Sequence, residues 1–319
     1  MTPEEIFRLR QDLPRAEPFN YYTDRESAWL LQALLPEDTP VRALRQGRLA
    51  RLLDRPLVKP LTAAGDGIIR RADLQVLAHA DGSFLYDSLS PATLTALERA
   101  FDLPWLDFEL SFTVWGNNNW HWAQTSRPGV NVVLQLNFPG DHAALLERTV
   151  GLQDRGKFEC SRHPVRRTGR PTLAWARLDI DHGAGVALIE EVQSDWLRFV
   201  RWELDDLRRL RPRSRALRDT QAYEAALTAR YGKVWPRAML LAALMLLRDR
   251  LGIAEIYYHQ PGPGAVLKHC KPPVSLYSSL PKAFCFEPTR DVPPFLRPKR
   301  RKHLSRLPKD GPLFWKMAF

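Results

Sequence analysis

Apolar and polar positions follow two regimes along this chain. Over residues 1–60 the chain reads as helical and is punctuated by proline. Thr23-Asp-Arg-Glu26 has the form of a capping box and opens a helix carrying Trp29, Leu30, Leu31 and Leu34. Residues 44–53 keep helical spacing, interleaved with Arg45, Arg48 and Arg51. Residues 68–73 and 74–79 are short runs bounded by turns at Gly65-Asp-Gly67 and Asp81-Gly82. Ser90 and Pro91 give the next helix an N-cap and a first-turn proline.

From Phe108 the pattern changes. Residues 110–115 and 130–137 read as strands, rich in β-branched and aromatic side chains. Residues 173–180 and 186–192 make another pair, joined by a hairpin connection at Asp181-His-Gly-Ala-Gly185. An amphipathic helix follows from Trp196 to about Leu217 and turns strongly basic. Residues 236–251 form a nearly all-apolar helix, which must be buried on most sides. Residues 253–259 are a strand that runs into Gln260-Pro-Gly-Pro-Gly264. The expected fold class is α+β with a mixed central sheet. It divides into a mainly helical region over residues 1–105, a core domain over 106–290 and a basic tail over 291–319, with Phe314, Trp315 and Phe319 tucked back onto the body.

The strand ending Ala187-Leu-Ile-Glu-Glu-Val-Gln-Ser-Asp-Trp196 is the most informative stretch. Each buried polar group there must be paired, or it costs about 1–3 kcal/mol. Five polar side chains at one strand end therefore mark either a site or a buried polar network. On a strand, Glu191 and Gln193 share one face, while Glu190, Val192 and Ser194 share the other. Ser194 or Asp195 is placed to cap the next helix.

Four further constellations stand out. Asp181 followed by Glu191-x-Gln193 resembles a metal-dependent nuclease core, with Gln in place of its Lys; two such carboxylates would hold Mg²⁺. Residues 259–268 are either a rigid turn or a Gly-rich turn and helix start that cradles phosphate, in which Pro261 and Pro263 remove two donors. Trp115-Gly-Asn-Asn-Asn-Trp-His-Trp122 is either a base-stacking loop or a hairpin whose rings pack on the sheet. Cys160, Cys270 and Cys285 are too few and too scattered for a disulfide framework or a structural zinc site.

Composition adds one asymmetry. The net charge is +11, but residues 1–160 carry −4 and residues 161–319 carry +15. The basic half suggests a nucleic acid or another polyanion as partner, or a merely solvated basic surface. The candidate contacts are Arg208, Arg211 and Arg215 on the amphipathic helix and Lys299, Arg300 and Arg301 in the tail. No apolar run spans a bilayer and the acidic N-terminal residues do not form a signal peptide, so a cytoplasmic protein without a membrane partner is expected.

Residues 173–286 resemble a domain of the large polyvalent proteins of phages and mobile elements. Glu191-Val-Gln-Ser-Asp-Trp196 stands where that family has Glu-Ile-Gln-Ser-Asp-Trp. Trp235 opens the apolar helix, Leu251-Gly-Ile-Ala-Glu-Ile-Tyr-Tyr258 is the strand entering a Gly turn, and Leu276-Tyr-Ser-Ser-Leu-Pro-Lys282 is similar to the family's Tyr-Asp-x-x-Leu-Pro-Lys. The order is also similar to the second half of GNAT N-acyltransferases, with Tyr277 and Phe284 or Phe286 at the place of their Tyr…Gly-Phe. That resemblance implies a GNAT-like domain with acyl-CoA as cofactor. Glu191 would be the general base beside Gln193 and Asp195, and Tyr277 would protonate the leaving thiolate. His259, Gly262, Gly264 and Lys268 would hold the cofactor. The chain departs from the pattern in that its Gly262-Pro-Gly264 lies one strand later than the family's loop. A nucleic-acid-binding accessory protein is the alternative in which the strand end is structural.

Overall fold

The computed structural model describes residues 1–63, 66–79, 90–101, 105–117, 123–297 and 304–319. They form two compact units. One comprises Met1–Phe19, Asp107–Leu280 and Glu287–Ala318; the other comprises Asn20–Leu106, Pro281–Phe286 and Phe319. The expected boundary at 105/106 lies close to one of these limits. The tail is not separate, because its last strand is part of the sheet of the larger unit.

The chain opens with α1 (Pro3–Leu9), closed at its start by a Thr2–Glu5 capping box, and β1 (Arg15–Tyr21). The smaller unit is helical, built on α2 (Arg25–Leu34), α3 (Arg71–His79) and α4 (Pro91–Phe101). The capping box expected at Thr23–Glu26 does not form. Asp24 sits at the N-cap with φ of 68° and makes no cap bond. Its carboxylate pairs with Arg55, and buried Glu26 accepts from the Tyr21 hydroxyl at 2.8 Å. Residues 44–53 give two four-residue turns, Val41–Leu44 and Ala50–Leu53, instead of one helix. Ser90 does cap α4, accepting from the Thr93 N–H at 3.2 Å.

The larger unit is a mixed eight-stranded sheet. After β1 it contains β2 (Leu106–Asn117), β3 (Gly129–Asn137), β4 (Thr172–Asp181), β5 (Val186–Gln193), β6 (Glu255–His259), β7 (Glu287–Thr289) and β8 (Phe314–Ala318). The order is β1-β2-β3-β4-β5-β6-β8-β7. Strands β2 to β5 pair antiparallel, and β8 pairs antiparallel with both β6 and β7. Strands β5 and β6 run parallel, from Val186 opposite Glu255 to Ile189 opposite Tyr258.

A parallel pair needs a crossover. Here it is three helices: α5 (Trp196–Leu210), α6 (Arg215–Tyr231) and α7 (Trp235–Met245). The basic amphipathic run is therefore two helices. It breaks around Pro212, and Ser214 caps the second by accepting from the Leu217 N–H at 3.1 Å. The apolar helix α7 packs on β3, β4 and β5, which explains its all-round hydrophobicity. On the opposite face, Val186, Leu188 and Tyr257 pack with Leu267, Phe295, Leu296, Leu313 and Phe314. Among the described residues no helix is long and apolar enough to cross a membrane.

The residues after β6 are neither a turn nor an open loop. They start helix α8 (Pro261–Lys268), with Pro261 at its first position, and α9 (Val274–Ala283) follows. Gly264 is required by packing, because a Cβ there would lie 3.0 Å from the His259 Cβ, whereas one at Gly262 would meet nothing within 4 Å. Gly264→Ala is thus expected to destabilise the protein by about 1–3 kcal/mol. Gly262→Ala should be neutral or stabilise by up to about 1 kcal/mol. Urea unfolding followed by circular dichroism checks both; equal effects would remove this account.

Candidate functional site

The site begins with a register slip. In the β4–β5 pair, Ala176 faces Val192 and Arg177 faces Glu191, but Leu178 faces Ile189. Glu190 is the extra residue of a β-bulge. Regular alternation would send Glu191 to the opposite face from Glu190, the face covered by the apolar α7. The bulge instead keeps both carboxylates on the polar face, and this corrects the expected split between them.

The bulge frees the Glu190 carbonyl from the ladder, and two buried side chains take it. Lys268 Nζ donates to it at 2.7 Å and the Tyr277 hydroxyl at 3.0 Å. Lys268 also donates to Tyr277 Oη at 3.0 Å and to Glu191 Oε2 at 3.4 Å, so all three ammonium donors are used. The Glu190 side chain is sealed. It accepts from the Ser126 N–H at 2.9 Å, from Ser126 Oγ at 2.8 Å and from His259 Nε2 at 3.0 Å.

This Ser–His–Glu cluster lacks the geometry of a nucleophilic triad. In a triad the imidazole bridges serine and carboxylate through its two nitrogens. Here Nε2 meets both Ser126 and Glu190, and Nδ1 is buried without a partner. Burial lowers the His259 pKa from 6.5, against the hydrogen bond and charge of Glu190, which raise it. Burial alone would raise the Glu190 pKa. The hydrogen bond and charge of His259, then the charges of Lys268 and Arg177, outweigh it and hold the carboxyl at about 2. Tyr277 is pushed well above 10 by burial and by Glu191, which makes it a poor proton donor.

Glu191 lies at the rim of this network. Its Oε2 accepts from Lys268 and Arg177, and the side chain is 12% exposed. Burial opposes its ionisation, but the Lys268 and Arg177 charges pull its pKa below the ordinary range. Arg177 also donates to the carbonyls of Ala123 at 2.7 Å and Gln124 at 3.0 Å, with the rings of Trp115 and Trp175 about it.

Four residues on, a second cluster forms around Asp195. It makes no helix cap. Its carboxylate accepts from Trp175 Nε1 at 3.0 Å, His163 Nδ1 at 2.8 Å, Gln193 and Arg198. Ser194 does not cap either; it donates to the Leu173 carbonyl at 2.6 Å. The His163 side chain is 30% exposed, and its Nε2 bonds to no described residue. Glu191, Gln193 and His163 are therefore three partly exposed polar side chains on supports held from behind.

The remaining expected residues fall as follows. Asp181 faces Val186 at the hairpin and accepts from the Ala184 N–H at 3.1 Å. It stands four residues along β4 from the partner of Glu191, about 13 Å away. Asp181, Glu191 and Gln193 thus do not share a metal site, and among the described residues no group of three or more acidic, His or Cys side chains could hold a metal ion. Gly262 and Gly264 lie in the first turn of α8, where Pro261 and Pro263 leave few free N–H donors. Arg208, Arg211 and Arg215 are exposed. Lys299, Arg300, Arg301 and the part of the tryptophan loop over 118–122 lie outside the described residues.

Ser126, His163 and Arg177 carry much of the geometry, and none was singled out as a site residue. Arg177 had a signal: it is a charged residue in the middle of an apolar strand. Compared with family models, curated proteins and solved structures, the chain matches none.

Two outcomes follow. Lys268→Met leaves a buried carbonyl and carboxylate short of a partner and is expected to cost about 3–5 kcal/mol in urea unfolding. The pH dependence has a defined sign. Both folded pKa values are depressed, so the unfolded chain takes up protons first, at His259 below 6.5 and at Glu190 below 4.5. Unfolding midpoints should fall as pH drops from 6.5 towards 3, and the fall below 4.5 should be shallower in Glu190→Gln. An unchanged acid limb in that variant would contradict the assignment.

Proposed function

We propose that the larger unit is a GNAT-like domain of phage or mobile-element type that does not transfer acyl groups and serves as a nucleic-acid-binding accessory module. The GNAT-like reading is supported by the parallel pair β5/β6, the crossover helices between them, and the helix after β6 that leads to Tyr277. The non-catalytic reading is supported by the sealing of Lys268 and Tyr277 on the Glu190 carbonyl. A group that must meet a cofactor phosphate or a leaving thiolate needs access to it.

The observation that carries the binding reading is the surface of α5 and α6. Between Arg198 and Asp219 the chain has eight arginines and four acids, and Arg201, Arg208, Arg209, Arg211, Arg213, Arg215 and Arg218 are exposed. Four make surface pairs, Arg201–Glu224, Arg208–Asp205, Arg209–Asp206 and Arg215–Asp219, which are worth little in water and can be exchanged for phosphate. Arg211 and Arg213 have no ion-pair partner among the described residues.

A 20-nucleotide labelled oligonucleotide should bind in fluorescence anisotropy. Three or four phosphate contacts would weaken binding by about 20- to 150-fold between 50 and 200 mM salt. Combined Ala substitution of Arg208, Arg211 and Arg215 should reduce both the affinity and the salt slope. A stoichiometric CoA complex in native mass spectrometry at millimolar CoA would sink the non-catalytic part.

One observation favours a second reading, the three partly exposed polar side chains of Glu191, Gln193 and His163. There Glu191 would be the general base of a group transfer in which Tyr277 takes no part. Amine-dependent release of thiol from acetyl-CoA that is lost in Glu191→Gln would support it. Absence of turnover across a panel of amines would count against it.

A further inference from the structure

Helix α5 carries more aromatic surface than its packing uses. Its buried stripe is Trp196, Leu197, Val200, Leu204 and Leu207, a complete core face at helical spacing. Phe199 and Trp202 lie off that stripe. Trp202 is 53% exposed, and Phe199 is half-buried. The two rings meet edge to face, with centroids 5.0 Å apart and planes at 70°. The Arg198 guanidinium stands 5.3 Å from the Trp202 ring centroid and 5.9 Å from that of Phe199. Arg198 is itself held from behind by Asp195, one turn earlier.

The tryptophan is thus fixed by an aromatic edge and a cation while much of its ring stays in water. Arg201, Arg208 and Arg209 are also exposed on α5, held in surface ion pairs with Glu224, Asp205 and Asp206 that phosphate can replace. A large exposed ring beside a polycationic track fits an occupant that is flat, apolar on its faces and polyanionic along its length. Unstacked nucleotides have that chemistry, whereas the bases of a duplex are stacked on each other and closed to a side-chain ring.

We infer that Trp202, braced by Phe199 and Arg198, is a base-stacking platform for single-stranded nucleic acid on the arginine face of α5 and α6. The inference rests on the nucleic-acid-binding reading above and adds the strand state of the ligand and a residue that contacts its bases. The stacked base lies against the open Trp202 ring, and its flanking phosphates meet Arg198 and Arg201.

The test uses the full chain and fluorescein-labelled 20-mers: oligo-dT, an abasic strand of equal length, and a duplex. Wild type should bind oligo-dT more tightly than the abasic strand and more tightly than the duplex. Trp202→Ala should lose about 5- to 150-fold in affinity for oligo-dT, the range expected for one stacked base. Its salt slope should stay unchanged, since no phosphate contact is removed. Its preference over the abasic strand should shrink to near unity, and Trp202→Phe should restore most of it. Because Trp202 is exposed, circular dichroism should show both variants folded. Equal wild-type binding to oligo-dT and the abasic strand would overturn the platform while leaving polyanion binding in place, as would a Trp202→Ala affinity within twofold of wild type. If wild type bound none of the strands, the nucleic-acid reading would fall and the platform with it.

Discussion

The polar half of the larger unit depends on one hydrogen-bonded junction, the Glu190 carbonyl with Lys268 and Tyr277. A strand in register has no spare carbonyl to offer. The bulge creates one in the interior, where an unpaired acceptor is costly. An ammonium and a phenol from helices α8 and α9 then converge on it. The same ammonium reaches Glu191, so one cation holds backbone and side chain of adjacent residues together. Removing it would leave two acceptors uncompensated at once.

The junction also separates two environments within one short stretch. Glu190 is enclosed by Ser126 and His259, and both oxygens of its carboxylate accept from inside the protein. Glu191 shares the cation but is partly exposed. Asp195, four residues on, is enclosed again, and it orients His163, whose far nitrogen is open. Carboxylates so close in sequence thus differ in role because of where the bulge and the start of α5 turn them, not because of their chemistry.

Much of the architecture was legible in the sequence. The strands over 110–115, 130–137, 173–180 and 186–192 announced themselves by β-branched and aromatic content, and the apolar run after Trp235 could only be a buried helix. The polar strand end was visible too, because Glu190 to Asp195 interrupt an apolar strand. The bulge was not legible. Alternation is the only rule a sequence offers for strand faces, and no glycine marked the exception, so Glu190 and Glu191 read as pointing apart. Residues 260–264 misled for a related reason: proline and glycine punctuate turns, but Pro261 equally suits a helix start, and tertiary packing of Gly264 on His259 decided it. Caps at Ser194 and Asp195 were outcompeted by the Leu173 carbonyl and by His163, Trp175 and Arg198, partners distant in sequence and so invisible to local rules.

The insertion of β8 between β6 and β7 has a consequence for how the sheet ends. Without it, β6 would present an unsatisfied row of backbone donors and acceptors beside the most apolar part of the unit. With it, the terminal position passes to β7, which is only Glu287-Pro-Thr289. Three residues, one of them a proline without an N–H and another a charged glutamate, make a poor template for a further strand. The border of the sheet is in this way blunted against edge-to-edge association with other chains.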